Sequence, residues 1–294
     1  MKSFDIVIIG GGIAGASLAW RLAREPGKRS SGLLEAEDHP GHHATGRSAA
    51  FFSETYGNEA IRSLTIASRD FFYSPPETFS ETPLLEPCGA LFIAREDQLV
   101  ALEAHYQSTR ARAPSIERQT RAFVLSRVPV LNPNAVAACV FEPDSQAINV
   151  HELLQGYLRG ARKGGVEVRT RHKVTALESR DGRWMLTAGG ETIEAGLVVN
   201  AAGAWAGQIG TLAGALDIGL VPLRRSVCVI DPAKADGIAG DVSGWPLVLD
   251  VDEAFYFKPS GGMIWLSPAD EDPSPPCDAA PDELILAQAV DQLE

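Results

Sequence analysis

The most informative residues for chemistry are three glycines near the N-terminus. Gly10, Gly12 and Gly15 form a GxGxxG pattern between a β-branched run and a segment with apolar residues at helical spacing. In such a pattern the first glycine allows a tight turn, the second lets the backbone approach a pyrophosphate, and the third lets helix and strand pack closely. Glu35 ends a second predicted strand, where a carboxylate can accept hydrogen bonds from ribose hydroxyl groups. The pattern predicts a dinucleotide site with a free ribose, and it does not separate NAD from FAD.

A second candidate is the segment 41–56, GHHATGRSAAFFSETY, in which small residues surround Arg47. Such a stretch can lie close against a planar ring and a phosphate group, with Arg47 as the charge partner. An ordinary helix start with Thr45 as its N-cap is the alternative, and both interpretations can hold together. The small residues are Ala44, Thr45, Gly46, Ser48, Ala49 and Ala50.

A third candidate follows the apolar run LVVN at 197–200. At the carboxyl end of a parallel strand, small residues such as Ala202 and Gly203 leave room for a cofactor. Close packing of a helix would explain these small residues equally well.

Three histidines, His39, His42 and His43, lie near Asp38 and offer metal-ligating side chains. Adjacent residues of an extended chain point in opposite directions, so His42 and His43 would not bind one ion together. We therefore predict a loop here and no metal site.

The elements that must position these residues follow two patterns. Residues 4–35 read as strand, glycine turn, helix and strand, which predicts a parallel sheet. Turn signals on both sides of the alternating segment 183–188 predict a small antiparallel meander. After Val221, several apolar runs predict further antiparallel strands.

The predicted fold class is α/β plus α+β, with two interleaved domains. The first is a Rossmann-like cofactor-binding domain with a parallel sheet and an antiparallel meander, built from residues 1–75 and 146–215. The second is a substrate domain with a large antiparallel or mixed sheet, built from residues 76–145 and 216–294. The chain is thus expected to leave the first domain, return to it and leave again.

Composition excludes several classes of protein. The 294 residues include 26 Lys and Arg against 38 Asp and Glu, so the net charge of −12 disfavours nucleic acid and anionic membranes as partners. The four cysteines are widely spaced and form no CxxC pair, which argues against a zinc site and a disulfide scaffold. The longest uncharged stretch, 195–216, is interrupted by five glycines, so we predict no membrane span and a cytoplasmic protein with reduced thiols.

Taken together, the motifs resemble the FAD-dependent D-amino-acid oxidase/dehydrogenase superfamily, and most closely its D-arginine dehydrogenases. The resemblance runs along nearly all of the sequence and is carried by GGGIAGASLAW, LLEAE, HHATGRSAAFF, NAAGAW, RRSVCVI and DEAFYFKP. It implies FAD as the cofactor, with residues 44–51 against the flavin and its phosphates and the backbone of Val174 at the adenine end. The FAD contacts predicted in full are Gly10, Gly12, Ile13, Ala14, Gly15, Glu35, Ala36, Ala44, Thr45, Gly46, Arg47, Ser48, Ala49, Ala50, Phe51, Val174, Ala202 and Gly203.

The resemblance also implies a reaction and the residues that perform it. Tyr56, Tyr256 and Arg225 would face the substrate, with Arg225 helping to hold its carboxylate. The expected reaction is oxidation of an amine, a D-amino acid, by hydride transfer to flavin N5, followed by hydrolysis of the imine to a 2-oxo acid and ammonia. Oxygen or a quinone would then accept the electrons. The alternatives are an NAD-dependent dehydrogenase and a truncated, non-catalytic remnant of a flavoenzyme.

The sequence departs from this resemblance in two ways. Members of the superfamily continue further, with a carboxylate-binding arginine and a glycine-rich segment, whereas residues 282–294 stop inside a predicted helix. We therefore expect a C-terminally truncated chain. Ala90 and Phe51 stand where D-arginine dehydrogenases are expected to have an acid and a histidine. These two replacements argue against a cationic substrate and favour an apolar or small one.

Overall fold

The computed structural model describes residues 1–27, 29–235, 238 and 240–279. The predicted helix 282–294, and with it the end of the predicted substrate domain, lies outside the described residues. The strands are β1 (Lys2–Ile9), β2 (Ser31–Leu34), β3 (Phe51–Phe52), β4 (Leu85–Pro87), β5 (Ala90–Ala94), β6 (Glu117–Thr120), β7 (Ala138–Glu142), β8 (Gln146–Ile148), β9 (Glu167–Arg169), β10 (Val174–Arg180), β11 (Arg183–Ala188), β12 (Glu191–Asn200), β13 (Leu223–Arg224), β14 (Cys228–Ile230), β15 (Leu247–Asp250), β16 (Tyr256–Ser260), β17 (Met263–Ser267) and β18 (Asp272–Pro273). The α-helices are α1 (Ile13–Leu22), α2 (Glu59–Tyr73), α3 (Leu99–Thr109), α4 (Arg121–Arg127), α5 (Val150–Lys163) and α6 (Ala206–Leu212).

The first sheet has the order β10-β11-β12-β1-β2-β9, and the glycine motif follows directly after its inner strand β1. Strand β1 runs parallel to both β12 and β2, and its apolar residues are buried because the sheet is covered on both faces. Strands β10, β11 and β12 form the predicted antiparallel meander. This sheet therefore has the predicted combination of parallel strands and a meander, and the carboxyl ends of β1, β2 and β12 meet at one edge.

The second large sheet has the order β14-β17-β16-β15-β5-β7-β6. Strands β15 and β5 are parallel, and the other neighbours are antiparallel, so the sheet is mixed as predicted. It combines residues from 90–142 with residues from 228–267, which brings distant parts of the chain together. In a small sheet, β3-β8-β4, the central strand β8 leads into α5 and pairs with β3, which follows the histidines, and with β4.

The segment 221–230, VPLRRSVCVI, forms two short strands, although the apolar runs after Val221 predict a strand here. Only β13 and β14 form there, with Ser226 between them. The backbone N–H and the hydroxyl of Ser226 donate to the Asp270 carboxylate at 2.5 and 2.8 Å. Because the Ser226 N–H bonds to a side chain, it is not available to a neighbouring strand.

Predictions on cysteines and membrane spans can be compared with the described part of the chain. Cys88, Cys139, Cys228 and Cys277 are all free, in agreement with the absence of a disulfide scaffold. Burial raises the pKa of the Cys139 thiol to about 12 and that of Cys88 to about 11, so both are unreactive thiols. No helix among the described residues has both the length and the apolar character needed to cross a membrane.

Candidate active site

The glycine turn between β1 and α1 is sterically fixed at two of its three glycines. Gly10 has a φ of +109°, and a β-carbon there would lie 2.3 Å from the backbone oxygen of Ala201. A β-carbon on Gly15 would lie 1.9 Å from the Gly10 oxygen. Both positions therefore exclude any side chain, and the fold itself requires these glycines.

Gly12 differs from its neighbours because a β-carbon there would meet no described backbone atom within 4 Å. It is the N-cap of α1, has an ordinary extended conformation, and provides no side-chain cap. Within the described structure, a β-carbon on Gly12 would meet only the Thr45 hydroxyl oxygen, at 3.2 Å. The N-terminus of α1, with its positive dipole end, is left accessible to an anionic group.

Thr45 caps a helix, although not the one that the sequence suggested. Residues 40–47 form turns, and the Ile13 N–H of α1 donates to the Thr45 hydroxyl oxygen at 3.0 Å. The interpretation of Thr45 as the N-cap of its own helix is therefore wrong. Instead, the loop supplies a side-chain acceptor to the helix that follows the glycine turn, 32 residues earlier in the chain.

Glu35 lies where the motif predicts, at the end of β2 and next to the glycine turn. It is only 8% exposed, and its carboxylate accepts hydrogen bonds from the backbone N–H groups of Gly11 at 2.8 Å and Glu37 at 2.9 Å. A carboxylate has further lone pairs, so Glu35 can still accept from ribose hydroxyl groups. Gly11, which the sequence reasoning left out, lies close to this carboxylate, since a β-carbon there would lie 2.8 Å from Oε2 of Glu35 and would displace it.

The segment 44–51 borders a cleft of about 500 Å³. Gly46, Ser48 and Ala49 line the cleft together with residues 147–151 and 258–262. Arg47 is half exposed and forms an ion pair with Asp278. The guanidinium that was predicted to pair with a phosphate therefore already has a carboxylate partner, which is itself exposed.

The small residues after β12 serve packing and leave open space as well. The side-chain NH₂ of Asn200 donates to the backbone oxygen of Ala206 at 2.8 Å, and its Oδ1 accepts from the Ala202 N–H at 3.3 Å. These bonds connect the end of the strand to α6. Gly203 has a φ of +52° and no described atom near the position of a β-carbon. Val174 begins β10 with its side chain in the core, so only its backbone is available to a ligand.

Three residues predicted to face the substrate come together from three distant segments. Arg225 and Tyr256 both lie near enough to the phenolic hydroxyl of Tyr56 to affect it electrostatically. Phe51 contacts Tyr56 at a ring distance of 5.3 Å, and all three aromatic residues pack on the cluster that contains Ala90. Burial raises the pKa of Tyr56, which keeps its hydroxyl protonated at neutral pH.

Arg225 has a second partner, an exposed carboxylate. Its Nη2 lies 2.5 Å from Oε1 of Glu271, which belongs to the loop after β17. The arginine that is predicted to hold the substrate carboxylate thus forms a salt bridge within the chain. Since Glu271 is largely exposed, a substrate carboxylate has a route to replace it.

Glu142 is a buried carboxylate that the sequence reasoning missed. It is 2% exposed and accepts from the Ser53 and Thr55 hydroxyls, each at 2.7 Å, and from the Glu54 N–H at 3.1 Å. Burial raises its pKa. The sequence did contain a signal for this residue. Glu142 comes directly after the apolar run AVAACVF, so a carboxylate is expected at the end of a buried strand. Glu142 fixes the loop that leads to Tyr56.

The histidines converge, contrary to the geometric argument made from sequence. His42, His43 and Glu37 bring ligand atoms within 4.8 Å of one another and could hold a metal ion. Nε2 of His43 lies 3.0 Å from Oε1 of Glu37, and Nδ1 of His42 lies 3.3 Å from Nε2 of His39. The chain turns here instead of extending, so the reason for excluding shared ligation is wrong. The absence of a metal stays a prediction without that support.

Comparison with known proteins decides the family. The family model described as FAD dependent oxidoreductase matches residues 5–294. The chain belongs to this family of FAD-dependent oxidoreductases. The predicted resemblance and the choice of FAD are thereby confirmed, and the NAD-dependent alternative is set aside.

Relatives of this FAD-dependent oxidoreductase differ in the compounds that their names specify. Mitochondrial dimethylglycine dehydrogenase of Rattus norvegicus is 29% identical over 86% of this chain and 29% of its own length. Mitochondrial L-2-hydroxyglutarate dehydrogenase of Homo sapiens is 25% identical over 91% of this chain and 61% of its own length. The chain therefore spans less than two thirds of the length of these curated relatives.

Solved structures confirm the fold class of this oxidoreductase. Glycine oxidase from Geobacillus kaustophilus has a TM-score of 0.83 at 19% identity, over 99% of this chain and 77% of that chain. L-proline dehydrogenase from P. horikoshii has a TM-score of 0.81 at 22% identity, over 98% of this chain and 75% of that chain. The residues described above fit FAD, because Gly12 leaves the helix N-terminus open and Glu35 lies beside it.

Proposed function

We propose that this chain binds FAD along the edge where β1, β2 and β12 end, and that it oxidises the amine of an amino acid, with D-amino acids as the expected substrates. The observation that carries the proposal is the convergence of Arg225, Tyr56 and Tyr256 beside Phe51, the last residue of the predicted flavin segment. An arginine and two tyrosines at this place suit a ligand with a carboxylate and an amine. We keep a cytoplasmic location as a prediction.

FAD would be held by the residues that the sequence predicted. The pyrophosphate would lie at the N-terminus of α1, near Gly12, Ile13 and Ala14, where N–H groups and the helix dipole favour a phosphate. Glu35 would accept from the ribose, with Ala36 and Val174 near the adenine. Segment 44–51 would lie against the flavin ring. What supports this placement is the open space at Gly12 and the cleft beside Ser48 and Ala49.

The residues of the chain have separable tasks in the proposed reaction. Arg225 exchanges Glu271 for the substrate carboxylate and so fixes the orientation of Cα. Tyr56 remains a protonated donor, and Tyr256 limits the pocket on the neighbouring side. When bound, FAD supplies the acceptor for the hydride that leaves Cα, and water then hydrolyses the imine to a 2-oxo acid and ammonia. The roles of these residues are the same whether oxygen or a quinone afterwards accepts the electrons.

The names of several relatives support an amine substrate. Dimethylglycine, glycine and L-proline, which three of these names specify, are all small amino acids. The test is to purify the chain with FAD, record its visible spectrum, and add D-amino acids without oxygen. Bleaching of the flavin bands with release of ammonia is expected. A chain that retains FAD and is bleached by no amine would contradict the proposal.

Neutral side chains are expected to be preferred over cationic ones. Ala90 is fully buried, and the acid opposite it in register, Glu142, already accepts three hydrogen bonds from the loop beside it. Glu54 pairs with Arg69, so it is not free to receive a guanidinium. A buried cation without an acid loses several kcal/mol to desolvation, whereas an apolar side chain gains about 25 cal/mol for each Å² removed from water.

The measurement is kcat/KM for D-Leu and D-Phe against D-Arg with an artificial electron acceptor. D-citrulline serves as the matched control, since it keeps the shape of D-Arg without its charge. We expect D-citrulline to exceed D-Arg and D-Leu or D-Phe to exceed both. A preference for D-Arg would contradict this expectation and would direct attention to the acids nearest the substrate residues, Glu253 beside Tyr56 and Glu271 beside Arg225, and to Glu86 at the cleft.

Removal of the Glu35 carboxylate is expected to weaken FAD binding. Glu35→Ala should cost roughly 1–3 kcal/mol of binding free energy, because a charged acceptor for the ribose is lost. Glu35→Gln should cost less, since its amide oxygen can still accept. Titration with FAD, followed by flavin fluorescence, gives both dissociation constants. Glu25→Ala, an exposed change outside the site, is the control. Equal dissociation constants for Glu35→Ala and Glu25→Ala would place the ribose elsewhere.

A further inference from the structure

Lys258 is a buried cation for which the proposed reaction has so far no use. It lies on β16, two residues after Tyr256, and is 7% exposed. Lysine is among the residues least often buried, because removing an ammonium from water is costly unless an anion compensates it. A buried lysine therefore raises the question of its partner.

The described part of the chain offers Lys258 little compensation. Its Nζ donates to the backbone oxygen of Ala50 at 3.3 Å, and it forms no ion pair with any carboxylate in the described ranges. The Cys88 thiol and, more weakly, the Glu86 carboxylate also act on it electrostatically. Burial accordingly lowers the pKa of the ammonium group. The N–H groups not used by Ala50 have room for an acceptor that comes from outside the chain.

The location of Lys258 indicates which molecule brings that acceptor. The side chain lines the 500 Å³ cleft together with Ser48 and Ala49, which belong to the predicted flavin segment. Its hydrogen-bond partner, Ala50, belongs to the same segment. Side chains alternate along a strand, so Lys258 is on the same face of β16 as Tyr256. The ammonium therefore lies next to the segment predicted to contact the ring, on a strand whose same face also carries Tyr256.

We propose that Lys258 is the charge partner of the flavin ring, and that its ammonium group stabilises the negative charge which the ring carries after it has accepted a hydride. This inference rests on the placement of FAD proposed above. A hydride brings two electrons and one proton to a neutral oxidised ring, so the reduced ring has a charge of −1 until it binds a second proton. An adjacent ammonium in a largely buried place favours that anion over the neutral oxidised ring. Lys258 would thus favour reduction of the cofactor by the substrate.

Two variants and one control test the proposal through binding, without turnover. Lys258→Met removes the charge while keeping a long side chain, and Lys258→Arg retains the charge. Lys234→Met, at an exposed position, makes the same change in net charge. For each chain, the dissociation constants of oxidised FAD and of dithionite-reduced FAD are measured anaerobically at one pH. The ratio of the two constants reports how strongly the protein prefers the reduced, anionic ring.

The expected results separate the variants. Lys258→Met should weaken the binding of reduced FAD about tenfold or more relative to oxidised FAD. Lys258→Arg and Lys234→Met should keep the ratio within about twofold of the wild-type value. The reduction potential of the bound flavin should be lowered in Lys258→Met alone.

Other results would contradict the proposal. An unchanged ratio in Lys258→Met would show that the ammonium does not interact with the ring charge. If that variant instead changed only the KM of substrates, Lys258 would bind a substrate carboxylate, and the proposal would be wrong. A wild-type chain that binds FAD but oxidises no amine would contradict the proposed function while leaving this comparison intact, so the two failures are distinguishable.

Discussion

Gly12→Val is expected to abolish FAD binding while the fold is retained. Gly12 has an extended backbone that any residue adopts, and only the Thr45 hydroxyl lies near the position of a β-carbon. The valine methyl groups would occupy the space through which a pyrophosphate reaches the N-terminus of α1. We expect the dissociation constant of FAD to rise roughly a hundredfold or more, and the free energy of unfolding without FAD to fall by about 1 kcal/mol, since valine is a poor N-cap.

Substitutions at two other glycines, one in the same motif and one in α6, provide the contrast that makes this prediction specific. Gly15→Ala should unfold or strongly destabilise the chain even without FAD, because its β-carbon would lie 1.9 Å from the Gly10 oxygen. Gly210→Ala, within α6, has no described atom near its β-carbon and should leave FAD binding unchanged. Thermal unfolding and flavin fluorescence separate the two effects. Retention of stoichiometric FAD by folded Gly12→Val would refute the placement of the pyrophosphate.

Arg225→Met is expected to lower kcat/KM for amino acids by a factor of about 10² to 10³. The variant loses charge-assisted hydrogen bonds to the substrate carboxylate, worth roughly 2–4 kcal/mol in total. The loss should fall mainly on KM, and the visible spectrum of the flavin should remain. An amine that lacks a carboxylate should be oxidised equally well by both chains.

Changes at neighbouring residues distinguish this role from a general loss of structure. Arg224→Met removes an arginine that pairs with Asp272 at 3.4 Å, and should leave KM within about threefold. Glu271→Gln removes the ion pair of Arg225 and should lower KM, because the substrate no longer competes with a resident carboxylate. If KM were insensitive to both Arg225→Met and Glu271→Gln, the carboxylate would bind elsewhere.

The sequence predicted those parts of the site that depend on local patterns. The strand, turn and helix of residues 4–35 were predictable because Gly10, Gly15 and Glu35 meet requirements that arise within one βαβ unit. The mixed second sheet was also predictable in outline, since most of its strands are apolar runs, whereas its edge strand β6, with the sequence ERQT, gives no such signal. The assignment of Arg225 and Tyr56 to one place came from the resemblance, because their separation in sequence gives no local signal.

The parts that sequence reasoning missed depend on contacts between distant residues. Glu142 bonds to a loop that lies more than 80 residues earlier, and no periodicity reveals such a contact. Lys258 looks like an ordinary strand lysine until the sheet buries it. The histidine geometry was misjudged because the Gly46 N–H bonds to the Gly41 oxygen at 2.8 Å and turns the chain.

The hydrogen bond from the Ile13 N–H to the Thr45 hydroxyl would couple the affinity for the cofactor to the order of the loop that contains Thr45. The loop 41–47 supplies an acceptor to the helix whose N-terminus would receive the pyrophosphate. A change that orders this loop would therefore organise the proposed phosphate site, and by thermodynamic reciprocity a phosphate bound there would order the loop by the same free energy. A substitution among residues 41–43, which precede the predicted flavin segment, would then alter flavin retention without a contact of its own with the flavin.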